Sequence, residues 1–418
     1  MNVVIVGNGI AANSALRSIR EIDKKSQISL ISDEKEIFYS ACVLPEYLSG
    51  HLSKQKIYLK NAEEYEKQNA ELIIGKRVLS IDPFSKVINM DYGKLPYDSL
   101  ILATGSRAII LDIPGCHLPG NYVFKTLADT EAIKREKADC FVVVGSGPIG
   151  IDACIALRAR GCEVTLVEKK CCVMPQVLDP KSAGYVKNAL EELGVRVITG
   201  VSVVGVKGDQ KVEGVVPENE VLPCKAIIWA VGVLPRVDLS SSANIKLGET
   251  GGFLTNEFMQ TSQPDIYACG DCAETMSVSS GKPTLSMLWH SAAMQGSIAG
   301  RNSIGGSKIY TGTTSQVVIN LPNFSVGAVG SSGASLDNDV EILEWESKSE
   351  KHWMIIHNER IVGFQSINNM SYLGPMGNAI RQKMKPKCMF DSKKIERNSL
   401  NQIRWLPWVL RAATNFYH

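Results

Sequence analysis

Cys42 is the first side chain that could carry redox chemistry, and its neighbours leave two interpretations open. It lies in the stretch FYSACVLPEYLSG at 38–50, between small residues and an apolar segment that contains proline. A thiol in such a setting is either a redox group or a small buried hydrophobe. Cys269 and Cys272 form a C-x-x-C, but no second pair of Cys or His follows at zinc spacing, so we predict no metal site.

A glycine-rich turn near the start of the chain predicts a dinucleotide-binding unit. The apolar run 2–6 is typical of a strand buried on both faces, and Gly7, Gly9 and Ala12 follow it at G-x-G-x-x-A spacing. The first glycine permits a tight turn, the second lets amides approach a pyrophosphate, and the small third residue allows close helix packing. An acid after the second strand would bind ribose hydroxyls, and Asp33 and Glu34 are both candidates.

The same pattern recurs in the middle of the chain. The run 140–144 leads into Gly145, Gly147 and Gly150, then into an apolar helix and a strand that ends at Glu168. Two complete units in one chain argue against glycines that serve packing alone. A carboxylate at Glu168 accepts a bond from a ribose 2′-hydroxyl but repels a 2′-phosphate, which favours NAD over NADP.

The composition excludes several classes of function. The 418 residues carry a formal net charge of +2 with acids and bases interspersed, unlike the basic stripe of a nucleic-acid binder. No apolar run approaches the roughly 18 residues of a membrane span, and the opening MNVVIVGNGI lacks signal-peptide features. We therefore expect a cytoplasmic protein without a membrane span, and we expect most of its eleven cysteines to be reduced.

Three further sequence segments, together with the two glycine-rich turns, form an ordered set of motifs. They are YDSLILATGS at 97–106, WAVGVLP at 229–235 and PDIYACGDC at 264–272. Together with the two glycine turns, they make roughly residues 1–305 resemble the FAD-dependent pyridine nucleotide-disulfide oxidoreductase superfamily. The resemblance implies an α/β fold with two Rossmann-like dinucleotide-binding domains, one for FAD and one for NAD, plus a small α+β C-terminal domain.

The resemblance also implies which segments bind each cofactor. An FAD-binding domain at 1–110 and 241–305 would be interrupted by an NAD-binding domain at 111–240. The FAD contacts that it implies are Gly7, Gly9, Ala12, Thr104, Gly105, Gly270 and Asp271, in addition to the ribose acid at Asp33 or Glu34. The NAD contacts that it implies are Gly145, Gly147, Gly150, Glu168 and Gly232. His290 would lie on a helix that covers the flavin ring, and we expect it to position that helix rather than to act as an acid.

The resemblance leaves two branches open for the electron acceptor. Members that use a cysteine pair carry C-x-x-x-x-C, and Tyr47 occupies the second position here. Cys42 alone resembles the single cysteine of the NADH oxidase, NADH peroxidase and coenzyme A-disulfide reductase group, which cycles through a sulfenic acid or a mixed disulfide. Rubredoxin reductases and the flavin subunits of nitrite reductases need no such cysteine and pass electrons to an iron-sulfur or other protein.

We therefore expect a FAD-dependent NAD(H) oxidoreductase that serves a protein acceptor, as a homo-oligomer or within a larger complex, with Cys42 packed near the flavin. The alternative is a single-cysteine reductase of coenzyme A disulfide, polysulfide, peroxide or oxygen in which Cys42 is catalytic. A flavin-binding subunit without activity is a third hypothesis.

The last part of the chain changes to short alternating strands. We predict strands at 316–320 and 340–344, a hairpin over 353–363 and a helix over 373–383. They would form the α+β domain at 306–385, which resembles the dimer-forming module of the family. The tail at 386–418 contains two tryptophans close together, which favours docking on a partner subunit.

Overall fold

The computed structural model describes residues 1–218, 220–336 and 339–386. The predicted tail lies outside these described residues except for Pro386, and its docking role stays a prediction. The helices of the described part are Ile10–Ile22 (α1), Leu44–Ser49 (α2), Ala62–Lys67 (α3), Leu127–Arg135 (α4), Pro148–Ala159 (α5), Pro180–Glu192 (α6), Ser240–Ala243 (α7), Trp289–Asn302 (α8) and Leu373–Arg381 (α9). None of the helices in this part is long and apolar enough to cross a membrane.

A parallel five-stranded sheet forms the first nucleotide-binding unit. Its strands, in spatial order, are Ile266–Ala268, Ser99–Leu102, Asn2–Val6, Gln27–Ser32 and Ala70–Ile74. The predicted strand 2–6 is confirmed at both ends, and all of its residues after Asn2 are buried. The edge strand 266–268 comes from far along the chain and pairs in parallel with 99–102. Two distant segments therefore share one sheet, while the predicted domain boundaries stay a prediction.

A second parallel sheet of five strands forms the other nucleotide-binding unit. Its strands, in spatial order, are Val195–Thr199, Glu163–Glu168, Cys140–Val144, Ala226–Trp229 and Asn121–Val123. The predicted strand 140–144 is also confirmed at both ends. Parallel pairing brings the carboxyl ends of the two central strands, at Val144 and Glu168, to one edge of the sheet. Dinucleotides bind at this edge in sheets of this kind.

Helices α1 and α8 cross in direct backbone contact beside the first sheet. A Cβ atom on Gly296 would lie 2.1 Å from the carbonyl oxygen of Ala11, and one on Gly300 would lie 2.5 Å from that of Ala15. Only glycine allows this approach, because both distances are far below van der Waals contact. At its first turn α8 also places the Trp289 ring on Phe38, with centroids 6.0 Å apart. These contacts fix α8 over the first unit.

Small sheets flank and connect the two units. Three of them have three strands each, namely Val78–Asp82, Val87–Met90 and Lys94–Pro96; Val203–Lys207, Gly214–Pro217 and Leu222–Pro223; and Phe253–Leu254, Ala273–Met276 and Pro283–Leu285. A two-stranded ribbon pairs Ser106–Ala108 with Val233–Pro235. The chain enters the second unit after the first strand of this ribbon and leaves that unit through the second strand. The backbone hydrogen bonds between the two strands therefore hold the two connections together.

An antiparallel five-stranded sheet forms the C-terminal unit. Its strands, in spatial order, are Gln316–Leu321, Phe324–Gly330, Arg360–Ile367, Glu350–His357 and Val340–Ser347. The predicted hairpin is confirmed, and its turn consists of Asn358 and Glu359, both with positive φ. The prediction missed the strand 324–330, because its glycines weaken the strand pattern. Helix α9 covers the sheet and ends at Arg381, two residues before the predicted end.

Candidate active site

The first glycine turn leaves the amino end of α1 open. Gly7 has a φ of +125°, and a Cβ there would lie 2.1 Å from the carbonyl oxygen of Ala103, so packing restricts this position. A Cβ on Gly9 would meet no atom within 4 Å, and Gly9 caps α1 without a side-chain hydrogen bond. Ala12 is fully buried, as its predicted packing role requires. Uncapped helix amides beside open space suit a pyrophosphate group.

A buried amide nitrogen in the same turn lacks a partner among the described residues. Asn13 Nδ2 donates to Asn8 Oδ1 at 3.0 Å, and the Tyr65 hydroxyl donates to the same oxygen at 2.8 Å. With Asn8 oriented by these bonds, its Nδ2 is buried without an acceptor. A buried donor costs free energy unless something satisfies it. The turn therefore fits a phosphate-bearing cofactor such as FAD.

Asp33 and Glu34 follow the second strand, and the structure gives them different partners. The Asp33 carboxylate is exposed and lies 3.3 Å from Arg236 Nη1. Glu34 accepts a bond from the Tyr39 hydroxyl at 2.8 Å, and burial raises its pKa. A ribose hydroxyl reaches an exposed carboxylate more readily, which favours Asp33 over Glu34 as the ribose ligand. The sequence pattern did not indicate Arg236, which is 203 positions from Asp33.

A polar cluster surrounds Asp271. The Ser106 hydroxyl donates to Asp271 Oδ2 at 2.6 Å, and Lys125 Nζ lies 3.3 Å from the same oxygen. A carboxylate accepts about four hydrogen bonds, so Asp271 keeps capacity for a ribityl hydroxyl of FAD. Lys125 adds a positive charge from the second unit, and the sequence pattern did not indicate it.

The remaining residues predicted to contact FAD lie at the turns that carry this cluster. The Thr104 hydroxyl donates to the carbonyl oxygen of Arg236 at 2.6 Å. Gly105 has a φ of +71°, and a Cβ there would face open space. The amide of Gly270 donates to Gln295 Oε1 on α8 at 2.8 Å, which ties α8 to the Asp271 turn. The geometry fits the predicted roles, which stay predictions.

The second glycine turn repeats the geometry of the first. A Cβ on Gly145 would lie 2.4 Å from the carbonyl oxygen of Ala230, and one on Gly150 would lie 2.0 Å from that of Gly145. The missing Cβ of Gly147 faces open space at the start of α5. Packing therefore restricts the first and third glycines, and the second leaves room for the pyrophosphate of NAD(H).

Glu168 is held in place by donors of its own unit. Its carboxylate accepts bonds from the amide and the hydroxyl of Ser146, at 2.8 and 2.6 Å, and from the amide of Lys170 at 2.8 Å. The fixed carboxylate still has capacity for a ribose 2′-hydroxyl. Gly232 has a φ of +120°, and a Cβ there would meet only Ile109 Cδ1, at 3.7 Å. This space agrees with the predicted position of Gly232 beside the nicotinamide nucleotide.

Cys42 lies in a single 3₁₀ turn, Ala41–Val43, directly before α2. Its side chain is exposed, as a redox role requires, and the choice between a redox role and packing near the flavin stays a prediction. Tyr47, which replaces the second cysteine, is buried and donates its hydroxyl to Glu131 Oε1 at 2.5 Å. Partial desolvation raises the pKa of Cys42, and the carboxylate of Asp152 raises it further.

Asp152 is a second titratable group at this position, and it belongs to the other nucleotide-binding unit. It lies on α5, which packs against α2. Burial raises the pKa of Asp152 to about 7, with a smaller contribution from Glu46. The carboxyl group of the second unit therefore acts electrostatically on a thiol of the first unit. Such perturbed groups are typical of functional sites, and the sequence pattern did not indicate Asp152.

His290 has the environment of a positioning residue. Its Nε2 lies 3.3 Å from the carbonyl oxygen of Thr314, and burial lowers its pKa. A lowered pKa leaves the ring neutral at neutral pH, which makes it a poor acid. Its predicted positional role fits this environment and stays a prediction.

We predict that Asp152→Asn increases the reactivity of Cys42. The Asp152 carboxylate raises the pKa of Cys42, so its removal favours the thiolate. At a fixed pH above neutrality, alkylation of Cys42 by iodoacetamide should be at least about threefold faster, equivalent to about half a pKa unit. Peptide mass spectrometry measures the rate in the variant and the wild type, with the exposed Cys171 as internal control. An unchanged or slower rate at Cys42 would contradict this coupling.

The comparisons with known proteins agree on one protein family. The family described as pyridine nucleotide-disulphide oxidoreductase matches residues 1–296. An NADH oxidase of Methanocaldococcus jannaschii is 33% identical over 341 residues, which cover 79% of this chain and 76% of that protein. Rhodocoxin reductase of Rhodococcus erythropolis is 31% identical over 280 residues, which cover 65% of this chain and 65% of the reductase. The chain thus spans slightly less than two thirds of the latter protein.

Solved structures agree with this assignment. An NAD-dependent persulfide reductase of A. fulgidus superposes with a TM-score of 0.88 at 25% identity, and the match covers 100% of this chain and 83% of that one. The predicted α/β fold with Rossmann-like units and the predicted cofactors FAD and NAD(H) are confirmed. The protein is a FAD-dependent NAD(P)H oxidoreductase, and the chain belongs to the pyridine nucleotide-disulphide oxidoreductase family.

Proposed function

We propose that the protein uses NADH to reduce the sulfur–sulfur bond of a small disulfide, persulfide or polysulfide, with Cys42 as the reacting thiol. The observation that carries this proposal is the exposed thiol of Cys42, which precedes α2 where that helix packs against α5 of the NAD-binding unit. An exposed thiol is one that a small acceptor can reach. FAD, when bound, supplies the chemistry that accepts a hydride from NADH and releases its two electrons.

The reaction at Cys42 is a thiol–disulfide exchange. The Cys42 thiolate attacks one sulfur of the acceptor, the acceptor's S–S bond breaks, and one thiolate leaves while the other half stays in a mixed disulfide. Two electrons and two protons then convert the mixed disulfide into the Cys42 thiol and a second product thiol. NADH provides the electron pair and one proton as a hydride, and solvent provides the other proton.

We propose that Asp152, on the helix that packs against α2, gives the proton to the leaving thiolate of this exchange. Its pKa of about 7 leaves it partly protonated at neutral pH, which suits a group that gives a proton to the leaving thiolate. The raised pKa of Cys42 keeps its thiol protonated in the free protein, so a base must remove that proton when the acceptor binds. Solvent base removes it, since the Asp152 carboxylate raises the pKa of Cys42 and disfavours its thiolate.

Two relatives are consistent with a thiol route. The NADH oxidase matches this chain over 341 residues, and rhodocoxin reductase matches it over 280. The sequence resemblance associates the NADH oxidase group with a single redox cysteine. The persulfide reductase, which is named for a sulfur substrate, matches the full length of this chain.

A second candidate function is electron transfer to an iron-sulfur protein or a partner subunit. The 31% identity with rhodocoxin reductase favours it. In that case Cys42 would take no part in the reaction, and the acceptor would dock beside the flavin. We also propose, on the resemblance alone, that the antiparallel C-terminal sheet forms a homo-oligomer interface.

An anaerobic assay of the FAD-loaded protein separates the two functions. NADH oxidation is followed with coenzyme A disulfide, with polysulfide and with a ferredoxin as acceptors, and the oxidised protein is titrated separately with NADH. We expect turnover with a sulfur compound and, when Cys42 has first formed a mixed disulfide with coenzyme A disulfide, one NADH per chain consumed in cleaving that disulfide in addition to the one that reduces the flavin. Turnover with the ferredoxin alone would overturn the proposal in favour of the second candidate.

A further inference from the structure

Three side chains outside the nucleotide turns bring a carboxylate, a thiol and an imidazole together. One ligand atom each of Asp112, Cys116 and His117 lies within 4.8 Å of the other two. No other group of three Cys, His, Asp or Glu side chains meets this spacing in the part of the chain that the structure describes. The three residues lie in the segment that runs from the ribbon strand Ser106–Ala108 into the second parallel sheet.

The backbone that carries these side chains is fixed by the fold. Gly115 has a φ of +81°, and a Cβ there would lie 2.2 Å from the carbonyl oxygen of Val206, so the segment rests directly on the neighbouring strand. Asn121 Nδ2 donates to the carbonyl oxygen of Gly115 at 3.2 Å, and the buried Trp229 donates from Nε1 to Asn121 Oδ1 at 2.8 Å. A ligand would therefore order little backbone when it binds, which lowers the cost of binding.

We propose that Asp112, Cys116 and His117 bind one divalent ion of the Zn²⁺ type and leave a fourth position for water or an external ligand. Thiolate, imidazole and carboxylate are the donors that Zn²⁺ prefers, and bond lengths of about 2.0–2.3 Å place tetrahedral ligands about 3.3–3.8 Å apart. Cys116 is 6% exposed and fixes one corner of the site. Asp112 and His117 are exposed, so their side chains can rotate to close the remaining distance.

The alternative explanation is that Cys116 only fills space. Cys269 and Cys272 illustrate that role, because both are fully buried and burial raises the pKa of both thiols. Cys116 differs from them, since ligand atoms of the exposed His117 and Asp112 lie within 4.8 Å of its sulfur. The spacing D-x-x-x-C-H lacks the paired ligands of common zinc motifs, which is why the sequence predicted no metal site.

Anaerobic titration of the FAD-loaded, chelator-treated protein with Co²⁺ tests the site. Tetrahedral Co²⁺ with a thiolate ligand absorbs at longer wavelengths than oxidised flavin, so both can be followed together. We expect one Co²⁺ per chain, displaced by Zn²⁺, and an affinity at least about tenfold lower in His117→Ala and in Asp112→Asn. Both residues are exposed, so these variants should fold normally. Cys116→Ser, which removes the thiolate ligand, should abolish the long-wavelength bands of the wild-type complex.

Two matched variants remove the same side-chain types elsewhere. His51→Ala and Cys171→Ser each delete an exposed residue outside the site, and both should bind Co²⁺ as the wild type does. Co²⁺ binding that survives in His117→Ala but is lost in His51→Ala or Cys171→Ser would overturn the proposal. The absence of a tetrahedral spectrum with Co²⁺ in excess over the protein would overturn it as well.

Discussion

Replacing Cys42 with serine is expected to lower kcat/KM for a small disulfide acceptor by at least about 1,000-fold. Serine keeps the size of the side chain, but its hydroxyl cannot form the mixed disulfide on which the proposed exchange depends. Reduction of FAD by NADH should continue at the wild-type rate, because none of the glycine turns that fit the two nucleotides involves Cys42. The position is exposed, so the substitution should leave the fold intact.

Two measurements separate loss of the thiol from a general loss of activity. Stopped-flow absorbance reports reduction of the flavin by NADH, and steady-state turnover with ferricyanide reports electron transfer that needs no thiol. Cys171→Ser is the matched control, since it removes another exposed thiol and should keep full disulfide reductase activity. If Cys42→Ser turned over the disulfide at the wild-type rate, the thiol route would be wrong and the protein acceptor would become the leading function.

Gly147→Val is expected to raise the Kd for NADH at least about 30-fold, or about 2 kcal/mol. Gly147 has a φ of −66°, a conformation that valine also adopts, and its missing Cβ faces open space. The valine side chain would therefore fold without strain but occupy the space that the pyrophosphate needs. FAD content should be unchanged, because the first glycine turn is untouched.

The control for this variant is Gly184→Val, on α6. A Cβ on Gly184 also meets no atom within 4 Å, so the two substitutions differ in position and not in local crowding. Valine is no worse than glycine in a helix, so we expect wild-type stability and NADH affinity. Binding is measured by the change in flavin absorbance on mixing with NADH. Equal Kd values for Gly147→Val and the wild type would show that NADH does not use this turn.

The two nucleotide-binding units could be predicted from sequence because all of their signals are local. The strands 2–6 and 140–144 and the turns that follow them each fall within a short stretch of chain. Buried strands and glycine turns require particular residue types whatever surrounds them. The strand 324–330 was missed because pairing in the sheet stabilises it in spite of its glycines.

The proposed metal site shows the limit of spacing rules. Asp112, Cys116 and His117 are close in sequence, but their approach depends on the turn at Gly115. That turn is fixed by the strand that contains Val206, which is remote in sequence. A rule based on the spacing of ligands along the sequence takes no account of this tertiary contact between Gly115 and the strand that contains Val206.

The sequence by itself determined the two nucleotide turns, since short segments encode them, and its resemblance to a known superfamily implied the fold class and the cofactors. Only the tertiary structure brought Lys125 to Asp271 across 146 positions and Arg236 to Asp33 across 203. It also brought α2, which follows Cys42, against α5, which carries Asp152, so that the Asp152 carboxylate raises the pKa of the Cys42 thiol. Such contacts depend on how segments that are distant in sequence pack together, and no local pattern of residue types specifies that packing.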